Sequence, residues 1–141
     1  MDGQDFSRTS LAIARIIEGI MAMVNQNGYQ TGMGPAQWAA LRYFNEANPE
    51  SATILSFADN HATTRGTASR RVKSLVEKGL LERRQNTTDA RSHRVVVTGT
   101  GKELLEKDPI FALVAAIQRL EPDARSDLSL LLRQVISRFE P

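Results

Sequence analysis

The hydrophobic period of this sequence switches at Gly79. Ahead of it, Ala68, Val72, Leu75 and Val76 recur at i, i+4, i+7 and i+8, the stripe of an α-helix. Beyond it, Leu80 to Arg84 and Arg94 to Val97 read as two short strands around a polar loop, Gln85 to Ser92. The triplet Val95-Val96-Val97 is β-branched and favours a sheet. Thr64 is placed to cap the helix, and Gly79 suits the left-handed residue just past its end. A helix that runs straight into a two-stranded ribbon leaves few folds open.

The segments ahead of that helix narrow the choice. Ile13, Ile16, Ile17, Ile20 and Val24 predict a first helix over about 6–27, capped by Ser7 or Thr9. A glycine-punctuated loop follows, and Pro35 suits the first turn of a second helix that carries Trp38, Leu41 and Phe44 on one side. Asn48-Pro49 stops it. A short helix over 54–60 comes next, then the turn His61-Ala62-Thr63. After the strands, Thr98 or Thr100 can cap a helix over 102–107, and Asp108-Pro109 reads as a cap followed by a first-turn proline, breaking the chain before 110–120. A last helix starts near Glu121-Pro122 and carries Leu128, Leu131, Leu132, Val135, Ile136 and Phe139.

Charge falls on the same place as the change of period. Residues 65–94 hold nine basic side chains and three acidic ones, a local charge of +6, whereas the other 111 residues sum to −4 and the whole chain to +2. A basic stripe of this kind is the electrostatic footprint of nucleic-acid binding, because Lys and Arg displace counterions from phosphates. Helix, turn, helix and basic ribbon is the order of a winged helix-turn-helix, whose second helix fits the major groove. At 100° per residue, the face opposite Ala68, Val72 and Leu75 centres on Gly66, Arg70 and Ser74, with Thr67 and Lys73 at its sides. Arg70 is the candidate for a bidentate guanine contact. Thr64 and Arg65 sit at the helix start, where backbone N–H groups favour phosphate.

At motif level, residues 34–105 resemble the MarR (multiple antibiotic resistance regulator) family. Gly34-Pro35-Ala36-Gln37-Trp38 looks like the start of the family's second helix. The run Leu75-Val76-Glu77-Lys78-Gly79-Leu80-Leu81-Glu82-Arg83 is similar to its recognition-helix exit and first wing strand. Asp89-Ala90-Arg91 stands where the family has its Asp-x-Arg wing motif, and Val97-Thr98-Gly99-Thr100-Gly101 resembles its Leu-Thr-x-x-Gly wing exit. The resemblance implies a homodimeric transcriptional regulator on a pseudo-palindromic DNA operator, a repressor relieved by a small effector. It implies that Arg91 reaches the minor groove and that Asp89 braces the wing against Arg83, Arg84 or Arg94. It also implies an effector cleft for a small aromatic or anionic molecule, for which Met33, Trp38, Arg42 and Tyr43 are candidates. The competing reading makes Trp38 a core residue and pairs Arg42 with Glu46. Two departures stand out: the family commonly has glycine where Ala62 stands, and an aliphatic residue where Arg71 stands.

The expected fold is therefore mainly α with a small β-wing. Residues 35–98 form the winged helix-turn-helix, and residues 1–34 and 99–141 form a helical dimerisation region. The dimer also follows without the family, because a chain this short cannot cover the apolar stripes at both of its ends. An enzyme is not expected: the only histidines are His61 and His93, no Gly-x-Ser-x-Gly occurs, and Gly99-Thr100-Gly101-Lys102 fails the phosphate-loop pattern at Val96 and Glu103. The chain has no cysteine, which removes disulfides, Cys zinc sites and thiol sensing, and no cofactor is expected. An acidic start and the lack of a long apolar run predict a soluble cytoplasmic protein away from the membrane. The alternative function is a winged helix that binds protein or RNA.

Overall fold

The structure, a computed structural model, describes residues 6–85 and 93–139. The elements run α1 (Arg8–Tyr29), α2 (Pro35–Glu46), α3 (Ile54–Asn60), α4 (Arg65–Glu77), β1 (Leu81–Gln85), β2 (His93–Val97), α5 (Gly99–Leu105), α6 (Ile110–Gln118) and α7 (Pro122–Ser137). The fold is mainly helical with one small antiparallel sheet, as expected. The described residues fall into two compact units, Asn25–Asp108 and a second made from the chain up to Val24 and from Pro109 onward. The winged unit thus takes in about ten residues more at each end than the expected span of 35–98. Two side-chain ties account for this. Lys78, the C-cap of α4, holds the Gly32 carbonyl, and Arg42 on α2 holds Asp108.

Local chemistry sets each helix of the winged unit. Gly34 is the extended N-cap of α2, Pro35 opens the helix, and the Gly34 N–H donates to Gln37 Oε1 at 3.2 Å. Thr53 caps α3 by accepting from the Ser56 N–H at 3.1 Å. Thr64 caps α4 as expected, accepting from the Thr67 N–H at 3.1 Å. The stripes then meet in one core: Trp38, Leu41 and Phe44 of α2, Phe57 and Ala58 of α3, Ala68, Val72 and Leu75 of α4, and Leu80, Leu81, Val95 and Val97 of the wing base. Each buried Leu, Val or Phe contributes about 1.5–3 kcal/mol, so this core holds the unit together.

Two helices end by the same device. At α4, the Leu80 N–H donates to the Leu75 carbonyl and the Gly79 N–H to that of Val76, both at 2.9 Å, with Gly79 at φ +74°. At α3, the Thr63 N–H donates to the Ala58 carbonyl at 3.0 Å and the Ala62 N–H to that of Asp59 at 3.4 Å, with Ala62 at φ +47°. Both are Schellman caps, and only the first has the residue best suited to one.

The wing pairs β1 with β2, Leu81 opposite Val97 and Gln85 opposite His93. Its seat includes a partner the sequence did not disclose: the Val95 N–H donates to the Ala52 carbonyl at 2.7 Å, joining β2 to the residues before α3. At the wing exit Thr98, not Thr100, is the cap of α5. Thr98 Oγ1 accepts from the Gly101 N–H at 3.0 Å and donates to the Gly79 carbonyl at 2.6 Å. Any side chain at Gly101 would collide with the Leu80 carbonyl oxygen, and its Cβ would lie 2.8 Å from Val97 Cγ1. The helix therefore starts three residues earlier than the expected Lys102.

Asp108 and Pro109 depart from expectation. Pro109 is itself the N-cap of α6, one residue later than the expected Asp108. The Asp108 carboxylate is bound by Arg42, Nε to Oδ2 at 2.6 Å and Nη2 to Oδ1 at 2.5 Å. Two parallel charge-assisted bonds make this the strong kind of pair.

In the second unit Ser7 caps α1, accepting from the Ser10 N–H at 3.1 Å. Ile13, Ile16 and Met21 of α1, Phe111 and Val114 of α6, and Leu131, Val135 and Ile136 of α7 are all exposed. No helix among the described residues is long and apolar enough to cross a membrane.

Candidate nucleic-acid interface

The outward arc of α4 carries Gly66, Arg70, Lys73 and Glu77, all exposed, with exposed Arg65 at its start. The cap organises the first turn. Thr64 Oγ1 donates to Thr67 Oγ1 at 3.0 Å, and Arg70 Nη2 donates to the same Thr67 oxygen at 3.2 Å. The Arg70 guanidinium is thereby laid back along the helix toward Gly66, where an added Cβ would sit 3.9 Å from Arg70 Nη1. Arg65, Arg70 and the unpaired N–H groups of the first turn thus share one positive end of α4.

Ser74 was expected on this arc, and the structure places it on the shoulder instead. It is half-buried, and its Oγ accepts from Gln37 Nε2 at 2.9 Å. The reason is angular: Ser74 falls 40° round from Arg70, toward α2. Lys78 is exposed but also engaged, donating to the Gly32 carbonyl and to Gln37 Oε1, both at 3.1 Å. One of the nine basic residues of the stripe therefore serves as a tie within the winged unit. Arg71, the departure noted above, is half-buried at the edge of the core stripe.

On the wing, Arg84 lies opposite Arg94, and Arg83 opposite Val95. Two like charges directly across a ladder repel. Glu82, two residues before Arg84 on the same face, relieves this: Arg84 Nε donates to Glu82 Oε1 at 2.5 Å. Arg84, one of the three named partners for Asp89, thus already has a carboxylate, while Arg83 is exposed and Arg94 half-buried. Asp89 and Arg91 lie outside the described residues.

The effector candidates separate. Met33 and Trp38 are buried in the core of the winged unit. Arg42 carries Asp108 rather than Glu46, and Tyr43 Oη donates to the Ser51 carbonyl at 2.8 Å. Arg42 and Tyr43 line a cleft of about 290 Å³ together with Ala39, Glu46, Asn60 and His61, and Met33 and Trp38 take no part in it. The His61 ring lies tilted against Phe57 with centroids 4.5 Å apart.

Residues 31–92 match the model of the MarR family. Over this winged segment the chain is similar to the MarR family. Solved structures extend the likeness of fold beyond that span. The MepR–DNA complex of S. aureus aligns with 98% of this chain and 100% of its own at 19% identity and a TM-score of 0.76. A MarR transcriptional regulator from Methanosarcina mazei Go1 covers 92% of this chain and 94% of its own, at 20% identity and a TM-score of 0.70. A MarR variant from E. coli covers 95% and 99%, at 21% identity and a TM-score of 0.68. Curated protein sequences give no match.

The MarR pattern acquires physical content here. Thr98 and Gly101 are its wing-exit letters, and they are the residues that bridge to Gly79 and approach Leu80. What the sequence did not disclose are polar partners far apart in the chain: Gln37 with Ser74 and Arg42 with Asp108. The one local signal was Gly34-x-x-Gln37, a capping-box spacing that marks the glutamine as structured.

Proposed function

We propose that this chain is a DNA-binding transcriptional regulator of the MarR type, which reads a pseudo-palindromic operator as a homodimer. The observation that carries this reading is the exposed basic arc of α4, Arg65, Arg70 and Lys73 around Gly66, in a MarR-family winged helix. Gly66 lets α4 approach the bases, Arg70 pairs with a guanine edge, and Thr64, Arg65, Thr67 and Lys73 serve the backbone. Arg91 enters the minor groove and Asp89 braces the wing, as the family pattern implies. The S. aureus neighbour crystallised on DNA supports the same use of the fold.

The homodimer rests on the exposed apolar residues of α1, α6 and α7, which a second copy would cover. Two-fold symmetry then sets the half-sites about 34–36 Å apart, one turn of DNA. A repressor released by a small aromatic or anionic molecule is the regulatory reading, and the cleft beside Arg42 and Tyr43 is its support.

Selection of bound duplexes from a random pool tests the proposal. The expected product is an inverted repeat with half-sites one helical turn apart, bound with a steep loss of affinity as salt rises. Failure to enrich any duplex, or binding insensitive to salt, would instead favour a protein-binding winged helix.

A further inference from the structure

Gln37 stands where three parts of the winged unit meet. Its Oε1 accepts from the Gly34 N–H at 3.2 Å and from Lys78 Nζ at 3.1 Å, and its Nε2 donates to Ser74 Oγ at 2.9 Å. Lys78 Nζ donates onward to the Gly32 carbonyl at 3.1 Å. One amide therefore caps α2, grips α4 at two positions a turn apart and, through Lys78, ties α4 to the loop before α2. A carbonyl at one end and an NH2 at the other is the chemistry this junction needs, since two donors meet one side and a hydroxyl the other.

The rest of α4's attachment is apolar. Ala68, Val72 and Leu75 lie along a single line, fully buried. Such contacts keep the helix seated but are non-directional, so they resist roll about the helix axis only weakly. Hydrogen bonds at the shoulder are directional and do resist it. Ser74 follows Arg70 by four residues, about 40° round the helix, so fixing Ser74 fixes the azimuth of Arg70. A roll of roughly 15° would carry a guanidinium about 8 Å from the axis through about 2 Å, enough to break a bidentate pair with a base.

We infer that Gln37 is a positioning residue for α4: it touches no nucleic acid, yet its grip on Ser74 and Lys78 sets which base pairs α4 accepts. The inference rests on the proposed entry of α4 into DNA. It also makes Ser74 an anchor rather than a reader of bases.

The test compares the full-length chain with Gln37→Leu, Gln37→Glu, Ser74→Ala and the double variant Gln37→Leu/Ser74→Ala. In the free protein, amide hydrogen exchange over residues 74–78 is expected to quicken roughly fivefold in Gln37→Leu, about one hydrogen bond's worth. It should stay near wild type in Gln37→Glu, whose carboxylate still accepts from Gly34, Lys78 and a turned Ser74 hydroxyl. On the selected operator, Gln37→Leu is expected to bind roughly tenfold more weakly with non-specific binding unchanged, and Gln37→Glu to restore the ratio. Gln37→Leu and Ser74→Ala should not add. Unchanged exchange in Gln37→Leu overturns the positioning role. Faster exchange with an unchanged specificity ratio overturns its link to base choice, and additive losses return Ser74 to direct base reading. A wild-type chain that selects no duplex refutes the DNA-binding proposal and with it the base-choice claim, while the exchange data still decide whether Gln37 holds α4.

Discussion

Ala62→Gly should make this protein more stable. Ala62 closes the Schellman cap of α3 at φ +47°, a left-handed conformation that costs an L-residue about 1–2 kcal/mol. Glycine removes that penalty but enlarges the freedom of the unfolded chain, which offsets about 0.5–1 kcal/mol. Ala62 is exposed, so its methyl group takes no packing with it. The net expectation is a gain of about 0.5–1 kcal/mol. Gly79 provides the internal control, since it occupies the matching position of α4 at φ +74°, and Gly79→Ala should lose a similar amount. Urea unfolding at one fixed protein concentration is the assay, because self-association would otherwise shift the apparent stability. With a slope of about 2 kcal/mol per molar, the midpoint should rise by about 0.25–0.5 M at unchanged slope. An unchanged or lowered midpoint for Ala62→Gly would refute the claim that the turn between α3 and α4 is strained.

Four further outcomes are expected. Asp108→Asn should destabilise the chain by about 2–4 kcal/mol in the same assay, because the Asp108 side chain is only 4% exposed and Arg42 would keep a largely unmatched charge. Arg70→Ala should weaken binding to the selected operator by about 1–3 kcal/mol and relax one base position; an equal loss on all duplexes would make Arg70 a phosphate contact. Arg91→Ala should weaken operator binding and leave the sedimentation coefficient unchanged, and undiminished binding removes the wing-tip assignment. Ile136→Glu, at a position 73% exposed in the single chain, should shift sedimentation toward the monomer; an unaltered dimer would place the two-fold interface elsewhere.

The parts of the fold that could be anticipated are those written within a few residues of themselves. The α3 bounds, the Thr64 cap, the Pro35 start and the stripe of α4 all follow from local spacing, and each appears where the spacing puts it. Polar side chains behave otherwise. A helical wheel assigns Ser74 to a sector, but whether that sector meets water or Gln37 depends on how α2 crosses α4, 37 residues away in the chain. Arg42 had a plausible neighbour in Glu46 one turn on, and the structure pairs it with Asp108 across 66 residues. Local pattern reports which face is apolar; it does not report which charged ends meet when those faces close. The same holds for Lys78, which counted as basic stripe in the sequence and ties to Gly32 in the structure.

The wing exit shows how a sequence signature can be divided into letters that matter and letters that fill space. Thr98 bridges Gly79 and Gly101 by two hydrogen bonds, and Gly101 is pressed against the Leu80 carbonyl, whereas an added Cβ at Gly99 would meet nothing within 4 Å. Two glycines two residues apart therefore carry unequal information. A library randomised over 98–101 and sorted for folded protein should return a near-fixed glycine at 101 and broad tolerance at 99. The spacing of the motif is then a measurement of how closely α5 lies on the chain entering the wing at Leu80, recorded in the one alphabet that selection can edit.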